Sequence, residues 1–150
     1  MIEECIKVSG EWLFYLDDHL IRHERNLITQ AGLNFLAQLF IRENDQTNDI
    51  PFYLALGTGI TSPAVSDTKL VAEKLRKPVS VKNRQANMIR LRTFFTSSEA
   101  NGTWTEAGIF LAGTASRDSG VLLNRIVLSQ GISKTSQQVL TVEVRITLGG

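Results

Sequence analysis

From residue 139 to residue 148 the chain alternates with a period of two. Leu140, Val142, Val144, Ile146 and Leu148 are apolar, and Thr141, Glu143, Arg145 and Thr147 fall between them. Successive side chains of a strand point to opposite faces, so the pattern predicts a half-buried strand with one wet face. Residues 88–96 read the same way: Ile89, Leu91 and Phe95 share one face, and Arg90 and Arg92 share the other. Phe52 to Leu56 is short and almost wholly apolar, as expected of a strand covered on both faces. Further strands are predicted over residues 2–8, 12–16, 20–25, 78–82, 104–111 and 121–128. Residues 69–75 read as a helical turn or an irregular strand. Ser9-Gly10, Asp17-Asp18, residues 83–87 and Asn101-Gly102 are predicted turns, and residues 42–50 and 113–120 are predicted loops.

One segment departs from this pattern. After Thr29, a candidate N-cap, Leu33, Leu36, Ala37 and Phe40 recur with helical spacing, and Leu39 broadens the stripe. This predicts a helix over residues 29–42 that lays Leu33, Leu36 and Phe40 on the sheet. Gly32 weakens its first turn by about 1 kcal/mol relative to alanine, which points to close packing there. One helix in the N-terminal half and many strands predict a mainly β fold, an antiparallel β-sandwich that is jelly-roll-like. Residues 26–150 form the sandwich domain. Residues 1–25 read as an N-terminal hairpin or arm that either projects or belongs to the same sheet, and its deletion is expected to leave the helix and later sheet largely folded.

The chain has 150 residues, 43% of them hydrophobic, which suits one domain with an ordinary core. A formal net charge of +1 implies no long-range field, and general nucleic-acid binding lacks its usual electrostatic support. No apolar run reaches the length of a membrane span, and the N-terminus does not read as a secretory signal. The single cysteine, Cys5, excludes an internal disulfide and reads as a small apolar strand residue.

Candidate chemistry is sparse. The run "FYLALGTGITSPAVSDTKL" resembles a phosphate loop after a strand, but its third glycine and its following helix are missing, and no Gly-Lys-Ser/Thr ends it. Gly57, Gly59, Pro63 and Asp67 are therefore read as a structural turn, with a positive φ at Gly57 or Gly59, and Asp67 or Thr68 as a cap of the next element. His19 and His23 are four apart; in a strand they share a face about 13 Å apart, too far for one metal. Glu99 and Glu106 flank a turn, and a glycosidase site would need the two acids to face one cleft. Glu106 sits in an otherwise apolar strand, where an acid is expected to accept from backbone N–H groups or to pair with an arginine. Trp12, Trp104 and Tyr53 could stack on sugars, and core packing is the plainer reading. Arg22, His23, Arg25, Arg90 and Arg92 are the candidate interface residues. No catalytic residue, cofactor or metal is expected.

Five segments stand in a characteristic order: "GEWLFYLDDHLIRHERNLITQAGLNFLAQL", "YLALGTGITSPAVSDTKL", "ANGTWTEAGIFLAG", "VLLNRIVLS" and "KTSQQVLTVEVRITL". In that order, over residues 26–148, the chain resembles a family of bacteriophage tail-fibre and baseplate-associated virion structural proteins. The resemblance implies a non-enzymatic virion building block made in the bacterial host cytoplasm, of the tail, baseplate or fibre attachment. Its partners would be other virion proteins of tail, baseplate, neck or capsid, in a homo-oligomeric or multicopy arrangement. The alternatives are a capsid decoration or head-appendage protein, and a carbohydrate-binding module for host-surface glycan. Neither a membrane nor a nucleic acid is an expected partner.

Overall fold

The structure, a computed structural model, describes residues 5–41, 43 and 49–149. Its strands are β1 (Val8–Leu16), β2 (His19–Arg25), β3 (Leu27–Ile28), β4 (Phe52–Gly57), β5 (Glu73–Pro78), β6 (Val81–Gln85), β7 (Met88–Phe95), β8 (Gly102–Leu111), β9 (Val121–Lys134) and β10 (Leu140–Leu148). A single described helix, α1 (Gln30–Ile41), lies between β3 and β4. Two five-stranded antiparallel sheets result: β2-β1-β10-β7-β6, called sheet A, and β3-β9-β8-β4-β5, called sheet B. They pack as a β-sandwich. The consecutive pairs β1–β2, β4–β5, β6–β7 and β8–β9 remain within one sheet as hairpins. A jelly roll instead carries most consecutive strands across from one sheet to the other.

The period-two segments supply the core between the sheets. Trp12, Phe14, Leu91, Phe95, Val142, Val144 and Ile146 of sheet A face Leu54, Leu56, Ala107, Ile109, Leu111, Ile126 and Leu128 of sheet B. Residues 8–25 are two strands of sheet A and no removable arm. β1 pairs along its full length with β10, and its Trp12 and Phe14 lie in the middle of the core. The strand also runs straight through Ser9-Gly10, where the sequence predicts a turn. Gly10 is needed there because the Asn26 side chain occupies the space a Cβ would take. The Asp17-Asp18 turn is present, with both residues at positive φ. Cys5 is exposed and precedes β1, so it is not a strand residue. Most of the predicted loop at 42–50, and the start of the predicted strand at 2–8, lie outside the described residues.

Thr29 caps α1 as its position predicts: its hydroxyl accepts from the Gly32 amide at 2.9 Å and donates to the Leu122 carbonyl. The buried face of the helix differs from the predicted stripe. Gly32 meets the backbone of Leu123, so closely that a Cβ would lie 2.7 Å from its carbonyl oxygen. That contact sets the helix rotation. It turns Gly32, Phe35, Leu36 and Leu39 inward, at i, i+3, i+4 and i+7, and leaves Leu33 38% and Phe40 91% exposed. Phe35, Leu36 and Leu39 close one end of the sandwich around an apolar cavity of about 120 Å³, opposite Ile89, Leu111, Leu123 and Ile146.

These two phenylalanines test the helix rotation. Phe35→Ala should cost about 3–5 kcal/mol in a denaturant titration. Phe40→Ala should stay within about 0.5 kcal/mol. Equal losses would mean that α1 is rotated from the position described.

Candidate functional site

The outer face of sheet B is covered by its own loops. Residues 58–72 connect β4 to β5 with no regular structure, and segments of that length need specific anchors if they are to hold one conformation. The anchor is Glu106, in the middle of β8 and fully buried. Its Oε1 accepts from the amides of Gly59 at 2.9 Å and Ala72 at 2.6 Å. Its Oε2 accepts from the Val71 amide at 3.0 Å and from Arg125 Nε and Nη2 at 3.0 and 2.9 Å. The carboxylate is thereby saturated. Arg125 of β9, also buried, donates further to Asp67 Oδ2 at 3.0 Å and to the Thr61 carbonyl at 2.8 Å. Each partner thus fixes a different part of the loop, and Leu70 is pressed onto Ala55, Phe110 and Leu122 beneath it.

This geometry corrects the reading of the glycines. Neither Gly57 nor Gly59 is among the residues with positive φ; among the described glycines those are Gly102, Gly120 and Gly149. Gly57 and Gly59 are required for space. A Cβ on them would lie 2.7 and 2.5 Å from Glu106 Oε1. Asp67 does not cap the following element either. It folds back, accepting from the Ala64 amide at 2.9 Å while it holds Arg125. Pro63 is half-buried in the same loop.

A second buried pair anchors the loop after β8. Arg76 forks onto Glu73 at 2.8 Å through Nε and Nη2, and stacks 4.4 Å over the Phe110 ring. Its Nη1 donates to the carbonyls of Thr114 and Ser119, and the Asp118 amide donates to Glu73. No feature of the sequence pattern singled out this pair: side chains three apart in a regular strand point to opposite faces, and the two meet because the β4–β5 register shifts between Leu56 and Gly57.

The outer face of sheet A is different. Glu143 of β10 is 1% exposed although it points away from the core. Arg90 Nε donates to its Oε1 at 2.7 Å, Arg145 Nε to its Oε2 at 2.6 Å, and Arg92 Nε lies 3.2 Å from Oε1. Burial alone would raise the Glu143 pKa, but the hydrogen bonds and charges of Arg90 and Arg145 outweigh it and hold the carboxyl below its ordinary value. The cross-strand register adds Arg25 and His23 to this face, opposite Glu11 and Leu13. Four of the predicted interface residues, His23, Arg25, Arg90 and Arg92, therefore share one surface. Arg22 does not: it pairs with Phe14 on the inward side and lies 3.7 Å from Glu24. Arg145 and Glu143 complete the cluster, and they went unrecognised because alternation marks a wet face without saying what meets on it.

His19 and His23 do not share a face. A bulge in the β1–β2 pairing between Phe14 and Tyr15 places His19 opposite core-facing Leu16 and His23 opposite outward-facing Leu13. His23 Nε2 lies 2.6 Å from Glu11 Oε2. Glu99 and Glu106 have separate partners. The Lys77 ammonium, then the hydroxyl and amide of Thr96, hydrogen-bond Glu99 and pull its pKa down to about 2. Trp12 and Trp104 are buried, and Tyr53 is half-buried with the Arg76 guanidinium 5.7 Å from its ring.

The Glu106 anchor is tested by Glu106→Gln, which removes the buried counter-charge of Arg125, leaves it only Asp67, and turns an amide NH2 toward groups that themselves donate. Removing one partner of such a pair typically costs about 3–5 kcal/mol. Chemical denaturation should read a loss in that range, and a loss under about 1 kcal/mol would show that the carboxylate does not organise the loop. No family model matches the chain, and no curated protein or solved structure matches it.

Proposed function

We propose that the chain is a non-enzymatic structural component of a bacteriophage virion, of the tail, baseplate or fibre attachment, that acts by multivalent protein–protein contacts. The observation that carries this reading is how the polar groups are used. Glu106 with Arg125 and Glu73 with Arg76 are consumed in fastening loops, while the arginines of sheet A keep donors facing outward. Buried charge spent on rigidity and a charged flat surface suit a subunit that is handled by its neighbours. The ordered segments from "NLIT" to "VEVRITL" supply the virion context. Repetition in a particle lets weak single contacts add through effective concentration.

A capsid decoration or head appendage would use the same properties. The carbohydrate-binding alternative is less well supported, because sugar stacking needs accessible aromatic faces, and Trp12 and Trp104 are in the core. Quantitative mass spectrometry of purified virions of a phage that encodes the chain tests the reading. The chain should be present in multiple copies per particle and co-sediment with tails. Its absence from particles would contradict the proposal.

A further inference from the structure

The arginine cluster of sheet A has unspent binding capacity. Three guanidinium groups, those of Arg90, Arg92 and Arg145, surround the single carboxylate of Glu143, so the cluster carries an excess of positive charge. Their contacts to Glu143 all run through Nε. The terminal nitrogens of all three make no hydrogen bond among the described residues. A guanidinium presents those nitrogens as a planar fork that matches a carboxylate or phosphate two bonds at a time. The side chains are 31–37% exposed, with Glu143 sealed beneath them. Glu143 therefore acts as an internal counter-ion that gathers the three forks and orients them outward. The nearest other acid on this face, Glu11, is engaged by His23.

The surroundings of the cluster indicate the partner. On the same face the next cross-strand row is Leu20, Tyr15, Thr141 and Phe94, and the Arg92 guanidinium lies 5.4 Å from the centre of the Phe94 ring. Leu20 and Phe94 are exposed. Arginines beside an aromatic and apolar strip have the composition of a protein interface. A polyanion-binding surface would need a broad basic field, and the chain has a net charge of only +1. We infer that the outer face of sheet A docks an acidic protein segment, whose closely spaced Asp or Glu carboxylates take the forks of Arg90, Arg92 and Arg145 while a neighbouring apolar side chain lies on Phe94. The inference rests on the proposed role in protein–protein contact and names the chemistry of one partner.

Fluorescence anisotropy with the full chain and a labelled hexaglutamate peptide, at low ionic strength, tests it. Hexaglutamate should bind, and the double variant Arg90→Gln/Arg145→Gln should weaken binding roughly tenfold. A second double variant, Arg90→Lys/Arg145→Lys, keeps the charge beside Glu143 but removes the forks. It guards against a failure of the first to fold, as judged by circular dichroism, and should also bind more weakly than the native chain. Arg117→Gln, in the exposed loop after β8, should bind like the native chain. Failure of hexaglutamate to bind, or equal binding by the native chain and the folded double variants, would overturn the inference. So would tighter binding of a hexathymidylate oligonucleotide, which would mark a nucleic-acid surface. The assay does not involve particles, so its failure is distinct from absence of the chain from virions.

Discussion

A carboxylate removed from water costs several kcal/mol unless every lone pair finds a donor and its charge finds a partner. Glu106 meets that demand with three backbone amides and one guanidinium. The donors come from both ends of the 58–72 loop and from the adjacent strand β9. The loop conformation that satisfies the acid is also the one that covers sheet B. Much else follows from this constraint. Gly57 and Gly59 must lack side chains to admit the carboxylate, and Gly108 must lack one to admit Leu70 and Leu122. Arg125 must be an arginine, since it serves Glu106, Asp67 and Thr61 at once through a planar fork.

The same chemistry is used differently on the two sheets. On sheet B the buried acids Glu106 and Glu73 each have one arginine, and each also accepts backbone amides of the loop it holds. On sheet A one buried acid has three arginines, and their outer nitrogens are left over. The first arrangement gives a closed, rigid face. The second gives a face that is organised from within and leaves guanidinium donors partly exposed to solvent. The two outer faces of the sandwich therefore differ in kind: one is closed by its loops, and the other presents partly exposed guanidinium groups.

How far the sequence reveals this depends on the kind of signal. Alternation over residues 139–148 and 88–96 gives strands and faces directly, because a period of two has few other causes. Thr29 identifies the helix start through its hydroxyl. The helix face is less legible: apolar residues at 33, 35, 36, 37, 39 and 40 surround much of the axis, and the deciding contact of Gly32 with Leu123 is long-range. Glu106 stands out as an acid in an apolar strand, and both kinds of partner expected of it are present. Which arginine serves it depends on the β8–β9 register, where Gly108 lies opposite Arg125. Glycines in a turn-like run suggest positive φ, whereas here they provide clearance for a side chain 47 residues away from Gly59. The histidines are separated by a bulge, which no spacing rule registers.

Native-state hydrogen exchange at the Gly59, Val71 and Ala72 amides tests the central claim most directly. These amides lie in an irregular loop, and ordinary loop amides exchange through local opening at little free-energy cost. If Glu106 holds the loop as part of the core, the three amides should exchange only by global unfolding, with protection equal to that of β8 and β9. Exchange at the rate of the exposed Ala115 and Arg117 amides, which make no hydrogen bond among the described residues, would contradict the account.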